Sequence, residues 1–313
     1  MDLLPVLERY GLIPAVKVSN AADAVPIAQA LTRGGLPVVE FTFRTPAAEE
    51  AIRLTAEALP DMILGAGTVL TIEQAERAVK AGAKYIVAPG FNPKVVGWCI
   101  EHGITVLPGC ASPSDIEQAL EFGLKAVKFF PAEQLGGLAA IKALSGPYGD
   151  MKFVPTGGVN EKNLAEYLAN PKVLACGGSW FTKEEWIAAK DWAKVEATAR
   201  TAVEITLGFE VTHVGVNCAD GPEGTKVAQR FSALFGWPIK DGSAGAFAGT
   251  GIEVMKGGGR GTHGHISVGV NNLARGKAYL EGLGCVFVPA IPGSKAAYLE
   301  EEIGGFAVHL LQK

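Results

Sequence analysis

The sequence predicts an α/β protein in which a (β/α)8 barrel is followed by a smaller α+β domain of paired βαβββ modules. Over roughly the first 200 residues, eight short apolar runs alternate with stretches of helical period, which is typical of a parallel sheet. No G-x-G-x-x-G follows the first run, and this argues against a doubly wound open sheet. Composition changes near residue 208, because four of the five histidines come later. We therefore assign residues 1–205 to the barrel and residues 206–313 to the second domain.

The predicted barrel strands are apolar and rich in β-branched residues, and they recur roughly every 22 residues, as strand–helix units do. They are residues 12–18, 38–43, 62–68, 85–90, 105–110, 126–132, 152–158 and 173–180. The segments between them are amphipathic, for example AADAVPIAQALTRGG and SPSDIEQALEFG. Several end at glycine (Gly82, Gly103 and Gly123), which is common at a helix C-terminus. Eight such units close into a barrel.

Composition and charge exclude several classes of protein. With 48% hydrophobic and 19% charged residues the chain can bury a core, so most of it is not disordered. The net charge of −4 provides no basic surface for nucleic acid. No apolar run reaches membrane-spanning length, and the opening MDLLPVLERYG does not resemble a signal peptide. Five dispersed cysteines predict reduced thiols in a cytoplasmic protein.

One lysine, Lys128, stands inside a predicted strand, in AVKFFPA. Loss of solvation in an apolar strand favours the neutral amine, which is the form that attacks a carbonyl substrate to make a Schiff base. Two structural roles compete with this interpretation: a buried lysine paired with a carboxylate, or an edge-strand lysine that reaches solvent. The neighbouring strand ends favour the chemical role.

Three polar side chains follow the second and third predicted strands. Glu40 and Arg44 are four residues apart, so both can face the barrel mouth, where active sites of this fold lie. Glu40 can move a proton beside Lys128, and Arg44 can clamp a carboxylate. Thr68 adds a hydroxyl. The competing roles are an ion pair between Glu40 and Arg44, and Thr68 as a cap of the next helix.

Glycines end the last two predicted strands, Gly157-Gly158 after the seventh and Gly177-Gly178-Ser179 after the eighth. Barrels commonly bind a phosphate after strands 7 and 8, on backbone N–H groups that glycine lets a ligand approach. Tight turns also use glycine. At these two strand ends together, the pattern favours a phosphate site.

At these residues the sequence resembles the 2-keto-3-deoxy-6-phosphogluconate (KDPG) / 4-hydroxy-2-oxoglutarate aldolase family. The matching stretches run in the family's order over about residues 3 to 190 and include GLIPAVKV, VVEFTFRTPAAEEAI, ILGAGTVLT, YIVAPGFNP, LKAVKFFPAE and FVPTGGV. FTFRT replaces the more usual VTLRT, a change at apolar positions only. The resemblance implies a class I aldolase on a (β/α)8 barrel, a homotrimer, with no metal or organic cofactor for this reaction. Its implied partners are small molecules, a phosphorylated 2-keto sugar acid and pyruvate.

Site residues follow from the resemblance position by position. Lys128 is implied as the Schiff-base lysine and Glu40 as the general acid/base. Arg44 and Thr68 are implied to hold the pyruvate carboxylate. The remaining substrate-binding residues implied around the site are Pro89, Phe130, Thr156, Gly157, Gly158, Gly178 and Ser179.

The last 105 residues consist of two similar halves. Each begins with a strand (EVTHVGVN and GHISVGVN), continues with a helix and ends with strands: PIKDGSAGAFAG and GIEVMKG in the first half, CVFVPAI and KAAYLEEEIGGFAVHLLQ in the second. Within the strands, apolar neighbours such as Val214 and Leu310 face the helices. Strand alternation then places four polar residues on the opposite, concave face: His213, Glu253, His265 and His309.

This half resembles the glyoxalase/bleomycin-resistance/dioxygenase (vicinal oxygen chelate) superfamily of paired βαβββ modules. The resemblance implies that His213, Glu253, His265 and His309 are ligands of a divalent metal. His309 stands where Glu is common, which leaves the metal and its chemistry open. A metal-free binding or packing module is the alternative.

Three functions remain open for the chain. The first is an aldolase with an appended module. The second is a metal-dependent lyase or dioxygenase in the C-terminal domain, and the third makes that domain a non-catalytic binding or assembly element. The sequence does not rank KDPG against its galactonate epimer or 4-hydroxy-2-oxoglutarate.

Overall fold

The structure is a computed structural model that describes residues 2–289 and 295–313. The chain divides into two compact units, Met1–Thr206 and Leu207–Lys313. Each unit has its own sheet system and its own candidate site, and each is described by itself.

The first unit is an eight-stranded parallel barrel. Its strands are β1 (Leu12–Val16), β2 (Val38–Thr42), β3 (Ile63–Gly67), β4 (Tyr85–Val87), β5 (Thr105–Leu107), β6 (Ala126–Phe129), β7 (Lys152–Pro155) and β8 (Cys176–Gly178). One sheet has the order β5-β4-β3-β2-β1-β8, and β6 pairs with β7. Single bridges, Gly109 to Lys128 and Thr156 to Gly177, connect these two sheets into a closed ring. The predicted fold class is confirmed, although β8 is shorter than the predicted run.

Ten helices accompany the strands along the described part of this unit. They are α1 (Leu4–Tyr10), α2 (Ala24–Arg33), α3 (Ala48–Ala58), α4 (Ile72–Ala81), α5 (Pro93–Glu101), α6 (Pro113–Glu121), α7 (Gly137–Ser145), α8 (Leu164–Leu168), α9 (Glu184–Ala188) and α10 (Trp192–Leu207). The longer helices bury an apolar stripe: on α2, for example, Ile27 and Leu31 are one turn apart and fully buried. Burying such a side chain is worth about 1.5–3 kcal/mol.

Strand alternation directs the functional side chains into the barrel. Lys128 lines the internal pocket, whereas its neighbours Val127 and Phe129 are buried on the other side of the strand. Phe129 meets Phe153 of β7 edge to face, with ring centroids 6.5 Å apart. Apolar packing on the outside of β6 thus fixes the strand that presents the lysine.

The second unit is one seven-stranded sheet. Its strands are β9 (Glu210–Cys218), β10 (Ile239–Asp241), β11 (Gly245–Ala248), β12 (Ile252–Lys256), β13 (Gly264–Val270), β14 (Ala296–Ile303) and β15 (Phe306–Gln312), in the order β10-β11-β12-β9-β13-β15-β14. The first strands of the two halves, β9 and β13, meet antiparallel near the middle. Helices α11 (Gly221–Phe235) and α12 (Leu273–Gly282) follow them.

One face of this sheet is an apolar core. Ala228 of α11 packs with Cys218, Ala246 and Val254, and Ile252 packs against them. The alternate residues on these strands therefore face away from α11, where the polar side chains lie.

The predicted strand CVFVPAI forms no regular strand among the described residues. Phe287 makes an isolated bridge with Leu299, and Val288 N–H donates to Tyr298 O at 2.9 Å. Pro289 follows directly and has no N–H to continue the ladder. Residues 290 and 291 of this segment lie outside the described residues.

A search of the described residues finds no helix with the length and apolar character needed to cross a membrane.

Candidate active site

A pocket of ≈ 440 Å³ opens at the C-terminal ends of the barrel strands. All eleven barrel residues that the sequence predicts as catalytic or substrate-binding line it: Glu40, Arg44, Thr68, Pro89, Lys128, Phe130, Thr156, Gly157, Gly158, Gly178 and Ser179. The structure therefore brings them to one place, although they come from six different strand ends.

Lys128 and Glu40 form a buried pair at the bottom of the pocket. Lys128 Nζ lies 4.0 Å from Glu40 Oε1, and the two side chains are only 8% and 4% exposed. Burial raises the pKa of Glu40, and the charge of Lys128 opposes that rise. A gap of this size is too long for a hydrogen bond, so a substrate oxygen or a water can lie between the amine and the carboxyl.

Gly67 makes room for the Glu40 carboxyl. A Cβ at Gly67, which pairs with Thr42 on the adjacent strand, would lie 1.7 Å from Glu40 Oε1. Gly67 is thus required because it leaves space for the Glu40 side chain, not because of its own backbone conformation.

The structure shows neither of the purely structural roles considered for Glu40, Arg44 and Thr68. Within residues 2–289 and 295–313, the ion pair of Glu40 is with Lys128 and none joins it to Arg44. Thr71, not Thr68, caps α4, because its hydroxyl accepts from Gln74 N–H at 3.2 Å. Thr68 instead has a φ of 57°, in the left-handed region. This strained backbone turns Thr68 toward the pocket that it lines.

The glycine loops after β7 and β8 present free backbone donors. Gly157 and Gly158 both have positive φ, at 95° and 85°. Among the described residues, the N–H groups of Gly158 and Ser179 donate no hydrogen bond outside the regular strands and helices. Unused N–H groups on a glycine loop form an anion site.

Two residues that the sequence did not indicate, Glu133 and Tyr167, support the loop that contains Gly157. Tyr167 O–H donates to Glu133 Oε1, and Glu133 N–H donates to Gly157 O at 3.1 Å. Burial and the Glu133 carboxylate raise the pKa of Tyr167. Glu133 stands in the KFFPAE stretch, but its partner is 34 residues away, and no local pattern indicates that contact.

A second missed pair lies at the rim of the pocket. Lys17 Nζ contacts Glu184 Oε1 at 2.7 Å, and both residues line the pocket. The hydrogen bond from Lys17 lowers the pKa of Glu184. Lys17 follows β1, so the strand-end rule could have found it.

In the second unit, the four predicted metal ligands come together on the face away from α11. His213 Nε2 lies 3.1 Å from His265 Nε2, and Glu253 Oε2 lies 3.4 Å and 3.2 Å from these two nitrogens. One ligand atom from each of His213, His265 and His309 lies within 4.8 Å of the other two. We call these four residues the histidine cluster.

Burial disfavours the charged form of two imidazoles in this cluster. Desolvation and the neighbouring His265 and His213 lower the pKa of His309 to about 4, and desolvation also lowers that of His213. Neither ring nitrogen of His309 has a hydrogen-bond partner among the described residues. Gly215 provides space for His265, since a Cβ there would lie 2.1 Å from the imidazole.

The comparisons with known proteins concern the barrel. The family model of the KDPG and KHG aldolases matches residues 5–198. The chain belongs to the KDPG and KHG aldolase family. The second unit lies outside the matched residues, so this membership describes the barrel alone.

Two relatives show how closely the barrel follows its family. The chain is 52% identical over 205 residues to the 2-dehydro-3-deoxy-phosphogluconate aldolase of Treponema pallidum, a match that covers 66% of this chain and 98% of the relative. It is 39% identical over 199 residues to the KHG/KDPG aldolase of Escherichia coli, covering 64% and 93%. These aldolases correspond to the barrel without the second unit.

A solved structure gives the same correspondence. The KDPG aldolase of Legionella pneumophila, crystallised with pyruvate captured as a covalent carbinolamine intermediate, matches with a TM-score of 0.63 at 38% identity. The match covers 64% of this chain and 98% of that one. The carbinolamine there is the adduct that precedes an imine.

Proposed function

We propose that the barrel is a class I aldolase that cleaves KDPG, 4-hydroxy-2-oxoglutarate or both to pyruvate and an aldehyde through a Schiff base on Lys128. The buried pair of Lys128 and Glu40 carries this proposal, because it joins a nucleophilic amine and a proton-transfer group at 4.0 Å. The relatives named KDPG and KHG aldolases support it.

Each group in the pocket then has a chemical task. The Lys128 amine attacks the C2 ketone, and loss of water leaves an iminium that withdraws electrons from C3. The Glu40 carboxylate takes the C4 hydroxyl proton as the C3–C4 bond breaks, which releases the aldehyde and an enamine. Protonation of the enamine at C3 and hydrolysis of the imine release pyruvate and restore the lysine. Arg44 and Thr68 hold the pyruvate carboxylate.

The glycine loops select the far end of the substrate. We assign Gly157, Gly158, Gly178 and Ser179 to the phosphate of KDPG, with Thr156, Phe130 and Pro89 as the walls between the loops and the lysine. Binding a remote phosphate lowers the barrier by holding the reacting carbon in register. Comparison of kcat/KM for KDPG, its galactonate epimer and 4-hydroxy-2-oxoglutarate measures this contribution.

Borohydride trapping tests the assignment of Lys128. Reduction in the presence of pyruvate should add one pyruvyl unit to the peptide that contains Lys128, and Lys128→Ala should abolish the adduct. The exposed Lys125 is the matched control, since Lys125→Ala should leave the adduct in place. Labelling at another lysine in the wild-type protein would exclude the proposed mechanism.

We propose a second function for the C-terminal unit: a divalent metal centre held by His213, Glu253, His265 and His309. The two similar halves of the sheet support it, as does the convergence of three imidazoles with the Glu253 carboxylate beside two of them. The unpartnered nitrogens of His309 fit a metal ligand, because burying such groups with no partner is costly. A bound ion would polarise a ligand oxygen at this site.

Elemental analysis after metal loading tests the centre. We expect about one divalent ion per chain when chelator-treated protein is supplied with zinc, nickel, manganese or iron. His265→Ala should abolish this uptake, while the exposed His263→Ala is the matched control and should retain it. No uptake by the wild-type protein would exclude the metal centre and leave the non-catalytic module.

We also infer a cytoplasmic homotrimer, as the family resemblance implies. The reduced state of the five cysteines supports the location, because none is in a disulfide. Light scattering on the purified chain measures the assembly, and thiol titration after extraction under non-reducing conditions measures the redox state.

A further inference from the structure

The side chain of Arg260 lies beside the histidine cluster, and neither proposed function uses it. Arg260 is exposed on the glycine-rich loop between β12 and β13, with the sequence GGGRG. Its guanidinium carbon lies 4.8 Å from the centroid of the Tyr298 ring. That ring stacks on the His309 imidazole, with centroids 4.5 Å apart and planes 20° apart. Stacking thus holds Arg260 one ring away from the cluster.

The loop itself is fixed to the same face of the sheet. Asn217 Nδ2 donates to Gly261 O at 2.8 Å and to Gly259 O at 3.4 Å, on either side of Arg260. Asn217 is on β9, four residues beyond His213, so strand alternation places it on the cluster's face. The arginine therefore stands on an anchored segment.

Arg260 is available for a ligand. No carboxylate of the described residues forms an ion pair with it, whereas the neighbouring Lys256 is paired with Asp241 at 2.5 Å and Glu302 accepts from Thr262. With a divalent ion on the cluster, the neutral imidazoles and the single carboxylate of Glu253 leave a net positive site. Arg260 adds a planar pair of donors suited to a carboxylate.

We propose that this face of the second unit binds a small organic acid, with one oxygen of the ligand on the metal and a carboxylate at its other end on Arg260. The inference rests on the proposed metal centre. The ligand class and the residue that recognises the ligand are new. The ligand must be long enough to reach past the Tyr298 ring.

Cobalt(II) substitution provides a readout confined to this unit, since the barrel pair needs no metal. Succinate carries a carboxylate at each end, whereas acetate can only occupy the metal. Both should change the visible absorption of the Co²⁺-loaded full chain, and succinate should bind at least tenfold more tightly. Arg260→Met should weaken succinate binding to about the affinity of acetate, leaving Co²⁺ uptake and acetate binding unchanged.

Arg230→Met on α11 is the matched control, because it removes the same charge from an exposed position on the helix-covered face. An unchanged succinate affinity in Arg260→Met would overturn the inference, and so would equal loss in both variants. A response to methyl phosphate alone would overturn the choice of a carboxylate. Failure of the wild-type chain to take up Co²⁺ is distinguishable, because it removes the metal centre before any anion is added.

Discussion

The pocket of the barrel and the histidine cluster of the second unit neutralise buried polar groups in different ways. In the barrel, the Lys128 amine and the Glu40 carboxyl lie 4.0 Å apart, and burial raises the pKa of Glu40 while the charge of Lys128 lowers it. In the cluster, ligand atoms of three imidazoles converge, the Glu253 carboxylate lies within 3.4 Å of two of them, and neither nitrogen of His309 has a partner among the described residues. The barrel pair is compensated within the protein, whereas the proposed cation would compensate the cluster.

Both regions share one device for placing a reactive side chain. A glycine on the adjacent strand leaves the space that the side chain occupies: Gly67 for Glu40 and Gly215 for His265. Because the same device occurs in two unrelated sheets, the two sites can be perturbed in matched ways.

Removal of the amine should have the largest effect. Lys128→Ala should reduce KDPG cleavage by roughly 10⁴-fold or more, the size expected for loss of a nucleophile. Lys128→Arg should be no better, because arginine stays protonated and forms no imine. Pyruvate release coupled to lactate dehydrogenase measures both, and near-wild-type release by either variant would contradict the Schiff base. Metal uptake should be unaffected.

Removal of the proton-transfer group should be the next largest effect. Glu40→Gln should lower kcat by roughly 10²–10⁴-fold, the usual size of a general acid/base contribution. It should still form a pyruvate adduct on Lys128, because the amine remains. Single-turnover cleavage and borohydride trapping on the same sample check this. An unchanged kcat would assign Glu40 a structural role.

Substitution of Gly67 or Gly215 should have a smaller effect, and each substitution should impair a different site. Gly67→Ala should displace the Glu40 carboxyl and slow cleavage by up to about 10²-fold, with metal uptake intact. Gly215→Ala should displace His265 and weaken metal binding by roughly 10–100-fold, with cleavage intact. Each variant serves as the control for the other. Loss of both properties in either variant would show coupling between the sites and contradict the comparison.

The smallest effect concerns stability. Burial raises the pKa of Glu40 above its usual value near 4.5. The stability that the protonated carboxyl contributes is therefore present below pH 4.5 and lost as the pH rises through the raised value. Glu40→Gln should thus become more stable relative to wild type as the pH rises above 4.5.

Thermal midpoints at several pH values check this. The trend should be larger in a Lys128→Met background, because the charge of Lys128 otherwise lowers the pKa of Glu40. A difference between Glu40→Gln and wild type that does not change with pH would contradict a raised pKa.

Local sequence patterns predict where the strands begin, because strand formation depends on residues that are close together in the sequence. All eight barrel strands begin within or at the predicted runs, but all end before them, because the predicted runs include the loops at the C-terminal strand ends. The start of β8 is also later than predicted, since Val173 makes only a single bridge to Phe153. The strand-end rule and the family resemblance together indicate the residues around the barrel pocket. Alternation along β9, β12, β13 and β15 likewise predicts that the four polar residues of the second unit share a face.

What the sequence did not indicate depends on contacts between distant segments. The support of Gly157 by Glu133 and Tyr167 joins the segment after β6 to helix α8, 34 residues away, and the Lys17–Glu184 contact joins positions 167 residues apart. Arg260 stacks on Tyr298 only because the glycine loop turns back over β9. Neither composition nor periodicity specifies such pairings, so the fold must be known first.

One measurement tests the division between the two units most directly. KDPG cleavage and metal content are followed in one metal-loaded sample before and after treatment with a chelator. The account predicts that the divalent ion is lost while the cleavage rate stays unchanged, because Lys128 and Glu40 act without a metal. Loss of cleavage together with the metal, and its recovery on reloading, would contradict that account.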